Sequence, residues 1–205
     1  MQDERLHSPA CERNREPILR VLEGVLEDLD EGALVLEIAS GTGMHAVFFA
    51  ARLPAVIWQP SDADEPALRS IEAWRAAEPS PNLRAPLRLD VLAEAWPIDH
   101  ADAIFNANMI HISPWETCLA LFERGAQILD EEGAPLVLYG PFKIDGAHTA
   151  ESNAAFDASL RARDSRWGVR DLAEVTAVAR AHGFVLERTV QMPANNLCVV
   201  FRRVP

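Results

Sequence analysis

The stretch LVLEIASGTGMHAVFFA, Leu34 to Ala50, decides the fold. Leu34–Ile38 is an apolar run broken only by Glu37, the composition of a strand buried on both faces. Gly41 and Gly43 then stand two residues apart, and an apolar helical segment follows to about Leu53. A strand that passes through a glycine turn into a helix opens a βαβ unit. Glycines at that junction let the backbone turn sharply and approach a ligand closely. A tight turn that merely needs two glycines is the competing explanation.

On either side the alternation continues. Val21, Leu22, Val25, Leu26 and Leu29 form a helical stripe ending at Gly32. After the glycine turn come a strand at Val56–Trp58 and a helix from Pro66 to about Ala77, with Leu68, Ile71 and Trp74 on one face. Short strands at Leu87–Leu89 and Ala103–Ala107 follow. Ser113-Pro114-Trp115-Glu116 has the spacing of a capping box for a helix reaching about Leu129, and Pro135–Tyr139 is a fifth strand. A helix over about Asp171–His182 stops at Gly183 in the left-handed cap position. Phe184–Val190 and Leu197–Arg202 close the chain as an antiparallel pair. Strands alternating with helices argue for an α/β fold around a mostly parallel sheet.

Composition narrows the partners. The formal charge is −12, Lys143 is the only lysine, and the arginines are dispersed, so a nucleic-acid backbone would be repelled. No apolar run reaches the length of a membrane-spanning helix, and the start MQDERLHSPACERN lacks the pattern of a secretory signal, so a cytoplasmic location is expected. Cys11, Cys118 and Cys198 are odd in number and far apart, which suits neither a disulfide framework nor a metal site.

In a doubly wound sheet, ligands sit beyond the carboxyl ends of the strands. Three positions there carry suitable groups. Glu37 places a carboxylate under the glycine turn. Asp62 follows the second strand about 20 residues past the glycines, where an acid can accept from ribose hydroxyls. Asp90 follows the third strand, where an acid can accept from an exocyclic amine. Each aspartate alone could be a cap or turn residue; a glycine turn and two acids after three successive strands are harder to assign to chance.

With Glu37, Ala39, Gly41, Gly43, Asp62 and Asp90 in place, the chain resembles the class I S-adenosylmethionine-dependent methyltransferases. The resemblance implies a Rossmann-like doubly wound sheet of seven strands, the last antiparallel, with helices on both faces. Ala39 stands where the family usually has its first glycine. The strings SPACERNREPIL, LEIASGTGMHAVFFA, WQPSDAD, NANMIHISPWE, LYGPFK, HTAESNAAFDASLRARDSRWGVRDL and MPANNL resemble the methyltransferase-like protein 26 family across essentially the whole chain. A single domain over 1–205 is expected, with an N-terminal segment 1–32 and a lid-like insert over about 140–169. The resemblance implies S-adenosylmethionine as cofactor; no metal ligands are read from the residues, since Asp145 and Asp157 do not make a convincing site, and metal dependence is left open.

Methyl transfer needs donor and acceptor held in line, with a base only where the acceptor must lose a proton. The fourth strand runs into NANMIHIS. Asn106 and Asn108 there can orient an acceptor, and His111 can take a proton near neutral pH or simply pack between Met109 and Ile112. Tyr139, Phe142, Lys143, Asn153, Phe156, Asp157, Trp167 and Arg170 mix aromatic and polar groups after the fifth strand, as an acceptor pocket would. Some of them could equally pack a short helix, and Asp157 could pair locally with Arg161. Asn14 and Arg15 could reach the cofactor carboxylate if the N-terminal segment folds back over the donor, or could face solvent. The Asn195-Asn196 pair could make the last turn or reach the acceptor. The expected function is methyl transfer to a small molecule. A nicotinamide-dependent oxidoreductase and a non-catalytic cofactor-binding or interaction protein are the rivals, and oligomeric state is left open.

Overall fold

In a computed structural model of the chain, which describes residues 3–204, seven strands form one sheet in the order β3-β2-β1-β4-β5-β9-β8. These are β1 (Leu34–Ile38), β2 (Ile57–Asp62), β3 (Leu87–Arg88), β4 (Ala103–Ala107), β5 (Pro135–Gly140), β8 (Phe184–Met192) and β9 (Asn196–Arg203). A small hairpin, β6 (Lys143–Ile144) and β7 (Ala147–His148), stands apart. β1 pairs in parallel with both β2 and β4, whereas β9 runs antiparallel between β5 and β8. This is the sheet of the class I methyltransferase fold.

The side-chain period of two sorts each strand between two cores. Val35, Val137, Cys198 and Val200 face one side, where α1 (Pro9–Leu26), α2 (Met44–Arg52) and α3 (Glu65–Ala77) supply Leu22, Phe49 and Trp74. Leu36, Ile104, Leu136, Leu138 and Val199 face the other, against Phe122 of α4 (Trp115–Ile128) and Val175 of α6 (Leu172–Ala181). Phe49, Trp58 and Phe105 pack ring on ring with centroids 5.4–6.1 Å apart. Burying each such side chain is worth roughly 1.5–3 kcal/mol.

The first helix extends further toward the N-terminus than its apolar stripe indicates. Ser8 caps it by accepting from the Cys11 N–H, and Pro9 occupies the first turn. The expected capping box before α4 is absent: Ser113 Oγ instead donates to Met109 O at 2.6 Å, serving the 3₁₀ turn Met109–His111, and Pro114 takes the cap position. Between β5 and α6 the chain folds as the β6–β7 hairpin followed by α5 (Glu151–Arg163). No helix among the described residues is long and apolar enough to cross a membrane.

Candidate active site

The order of strands reverses between β1 and β4, so the carboxyl end of β1 opens onto a crevice with connections departing on both sides. The glycine turn sits there. Ala39, Gly41 and Gly43 all have positive φ, at 55°, 59° and 84°. For alanine that conformation costs about 1 kcal/mol, which marks Ala39 as held by its surroundings. The two glycines differ in purpose. A Cβ on Gly43 would lie 2.7 Å from the Ile71 Cα, so Gly43 lets α2 settle against α3. A Cβ on Gly41 would meet nothing within 4 Å, so that face of the turn is open to a ligand.

The turn is clamped to the end of β2. Gly41 N–H donates to Asp62 Oδ2 at 2.9 Å, and Asp64 N–H donates to Asp62 Oδ1 at 2.9 Å. Ser40 N–H donates to Ser61 O at 2.8 Å, and Ser61 Oγ donates to Glu37 O at 2.8 Å. Glu37 itself is buried beneath the turn, where Trp58 Nε1–H donates to its Oε2 at 2.8 Å. Burial pushes its pKa up to about 7, against the pull of the Trp58 and Ser40 hydrogen bonds. Asp90 is exposed two residues beyond β3 and accepts from the Leu92 N–H at 2.9 Å as a local turn.

The N-terminal segment folds back onto this edge. Leu6 N–H donates to Ser70 Oγ at 2.8 Å, Ser70 Oγ donates to Thr42 O in the glycine turn at 2.7 Å, and Trp74 Nε1–H donates to Leu6 O at 2.9 Å. Cys11 Sγ approaches Thr42 Oγ1 at 4.0 Å. Asn14 is buried with its Oδ1 2.8 Å from Nε2 of His45, while Arg15 stacks its guanidinium over Phe48 at 4.6 Å. The two neighbours in sequence thus point to different tasks.

At the carboxyl ends of β4 and β5, Asn106 Nδ2 donates to Ile38 O at 2.8 Å and its buried Oδ1 has no partner. Asn108 adopts a left-handed conformation with φ 65°. His111 is fully enclosed: Phe142 packs edge-on at 4.9 Å, Gly168 N–H donates to its carbonyl at 2.9 Å, and Arg170 N–H donates to its Nδ1 at 3.3 Å. Burial, with help from Arg170, pushes its pKa down to about 3. His111 is therefore neutral near pH 7 and carries its hydrogen on Nε2, a buried donor without a partner. Gly140 leaves room for that ring, since a Cβ there would lie 2.6 Å from Nε2. Tyr139, on the opposite face of β5, is buried and accepts from Asn196 Nδ2 at 3.0 Å.

In the 140–169 segment, Asp157 is a hub. Its Oδ2 lies 3.4 Å from Lys143 Nζ, 3.3 Å from His148 Nε2 and 3.3 Å from Arg161 Nε, and its Oδ1 accepts from Val169 N–H at 2.7 Å. Burial opposes ionisation, but the Val169, Arg161 and Lys143 interactions together hold the carboxyl below its usual range. Asn153 Nδ2 donates to Asn195 O at 2.9 Å, tying α5 to the turn between β8 and β9. Arg170 donates from Nε to Ile110 O and from Nη2 to Ser113 O, bracing the 3₁₀ turn. Phe156 is half-buried, and Trp167 packs under the Arg163 guanidinium at 4.9 Å.

The structure therefore joins Gly41 and Asp62 above Glu37, ties Asn14 to His45 of α2, and gathers Lys143 and Asp157 in a second cluster; Asp90 stands apart in its own turn. Sequence reasoning missed His45, Trp58 and Cys11. A polar residue at the start of the otherwise apolar MHAVFFA helix was the available signal for His45.

Solved structures share this architecture. An O-methyltransferase family protein from Burkholderia thailandensis superposes with TM-score 0.76 at 15% identity, covering 92% of this chain and 56% of its own. A protein from Nostoc punctiforme described as a "putative O-methyltransferase" gives 0.75 at 15%, covering 91% and 57%. The mitomycin 7-O-methyltransferase MmcR gives 0.73 at 18%, covering 93% and 57%. The chain spans a little over half the length of these proteins, and the likeness is one of fold. A family model described as "Protein of unknown function (DUF938)" matches residues 5–203, and the chain belongs to that family.

Proposed function

We propose that the protein is an S-adenosylmethionine-dependent methyltransferase acting on a small molecule, of the methyltransferase-like protein 26 type. The observation that carries this reading is the Gly41 N–H bond to Asp62 Oδ2, which joins an open-faced glycine turn and a ribose-suited acid at the switch point, above a buried Glu37. The residues fit the cofactor. Gly41 offers bare backbone, Asp62 and Asp90 can accept from ribose and adenine, and Glu37 offers the negative charge that suits a cationic methionyl end.

When bound, S-adenosylmethionine would supply an electrophilic methyl group for transfer to the acceptor. The chain's own part is to position. Ala39, Gly41 and Gly43 shape the donor side, with Asn14 near its tail and Arg15 supporting α2 from outside. Asn106, Asn108 and His111 line the acceptor side, while Tyr139 stands on the flank under α1 beside Asn196. His111 serves as a hydrogen-bond donor through Nε2 and not as a base, because Arg170 N–H occupies Nδ1 and burial keeps the ring from holding a second proton. Phe142, Lys143, Asn153, Phe156, Asp157, Trp167, Arg170 and Asn195 belong to a lid that carries the acceptor pocket.

Structural neighbours support this choice, among them MmcR and a calicheamicin biosynthetic methyltransferase, CalO1, solved with S-adenosylhomocysteine. Titration calorimetry tests it directly. Micromolar binding of S-adenosylhomocysteine is expected, with none for NAD or NADP; no heat at millimolar S-adenosylhomocysteine removes the proposal.

A further inference from the structure

The segment that joins α5 to α6 ties two buried groups to one another. Its successive amides go to alternate partners. Gly168 N–H donates to His111 O at 2.9 Å and Arg170 N–H to His111 Nδ1 at 3.3 Å, whereas Val169 N–H, between them, donates to Asp157 Oδ1 at 2.7 Å. A Cβ on Gly168 would lie 2.7 Å from that same Asp157 oxygen, so a glycine is what lets residues 168 and 169 come down onto the carboxylate. The carboxylate is itself fixed from three elements, since Lys143 of β6, His148 of β7 and Arg161 of α5 all converge on its Oδ2. Lys143 N–H also donates to Arg170 O at 2.9 Å, and the Arg170 guanidinium reaches Ile110 O and Ser113 O.

The consequence falls on His111. With Nδ1 accepting from Arg170, the ring hydrogen is on Nε2, where no protein group takes it. Peptide units are rigid, so residue 169 cannot leave Asp157 without drawing the amides of 168 and 170 away from His111. An imidazole so opened to water regains its ordinary affinity for a proton. Asp157 thus has two effects of opposite sign. Its charge favours a protonated ring, and the strap it holds keeps the ring enclosed and neutral. Arg170 is the other charged group felt by the ring, and it opposes protonation; Gly140 and Phe142, packed on it from β5 and just beyond, carry no charge.

We propose that Asp157 is a positioning residue for His111: by anchoring Val169 N–H it holds the 168–170 strap against the ring, so that Nε2–H is the hydrogen offered to an acceptor. The proposal takes its purpose from the methyl-transfer reading above, which puts the acceptor before Nε2.

Nitrogen-15 labelling of the six histidines, with His111→Gln to identify the signal, tests it on the ligand-free protein. In the wild type, His111 should show a protonated Nε2, an unprotonated Nδ1 and no titration between about pH 5 and 8. Asp157→Ala should bring in a titration with its midpoint at about 6–6.5, although loss of the charge alone would move it the other way. Asp157→Asn keeps an oxygen for Val169 N–H without the charge and should leave His111 silent. Gly168→Ala, whose Cβ pushes the strap off an intact Asp157, should titrate as Asp157→Ala does, and it carries the test if Asp157→Ala does not fold. A folded Asp157→Ala or Gly168→Ala in which His111 stays silent overturns the proposal. So does an Asp157→Asn protein that titrates, because the charge and not the Val169 bond would then hold the strap. The measurement needs neither cofactor nor acceptor: a protein that gives no heat with S-adenosylhomocysteine ends the cofactor reading and leaves the link from Asp157 to His111 standing.

Discussion

The strongest consequences at the scale of single residues come from Glu37. Its carboxyl is buried against Trp58 and its pKa is raised to about 7 from an ordinary 4.5. The native state therefore keeps a proton that the unfolded chain releases near pH 4.5. Stability from this group is complete below that pH and is lost as pH climbs to about 7, a fall of about 3 kcal/mol. Glu37→Gln removes the titration while keeping an acceptor for the indole. Thermal melts of the ligand-free proteins should coincide near pH 4.5, and the variant should melt higher by roughly 5–10 °C at pH 8. Identical pH profiles would mean that Glu37 is ionised throughout. The two glycines make a second contrast. Gly43→Ala forces a Cβ against Ile71 at positive φ and should cost about 2–4 kcal/mol in urea unfolding. Gly41→Ala meets no neighbour and should cost only about 1 kcal/mol, while weakening S-adenosylhomocysteine in calorimetry roughly tenfold or more. If Gly41→Ala binds like wild type, the open face of the turn is not where the ligand lies. The glycine turn was legible in the sequence because turn geometry is a property of a few adjacent residues. That Gly43 meets Ile71, and that Gly41 N–H meets Asp62, was not, because each partner lies on another element.

Among the elements, the N-terminal segment and the 140–169 segment matter most. The segment before α1 reaches the glycine turn through a relay in which Ser70 accepts from Leu6 and donates to Thr42. Ser70 is fully buried, so Ser70→Ala leaves a donor and an acceptor unmatched and should cost about 1–3 kcal/mol. Hydrogen exchange of the Leu6 amide should rise with it, and protection unchanged from wild type would show that other contacts carry the segment. The elements themselves were largely readable: β4 falls at Ala103–Ala107 as its composition indicates, and the final strands differ only at their ends. The start of α1 carries little apolar periodicity in SPACERNRE and is marked instead by its cap, Ser8 followed by Pro9. The α4 capping box failed because the preceding 3₁₀ turn claims the Ser113 hydroxyl.

For the molecule as a whole, charge and sheet order set the behaviour. At a formal −12 the protein should repel polyanions. Fluorescence anisotropy with duplex DNA should show no binding even at about 50 mM salt, where phosphate contacts are strong. Saturable binding there would reveal a local basic surface and reopen the choice of acceptor. Sheet order decides the site. Because β1 lies between β2 and β4, the turn after β1 meets Asp62 on one side and Asn106 on the other, and β5 and β9 then carry Tyr139 and Asn196 to the flank covered by α1.

By itself the sequence determined the α/β alternation, the glycine turn and the acids that follow successive strands, because these are written in local periodicity and turn chemistry. Only the tertiary structure decided which distant groups meet: His45 with Asn14, Trp58 with Glu37, and Lys143 and His148 with Asp157. Those meetings depend on how distant strands pair and how helices pack across them, and no window of neighbouring residues contains that information.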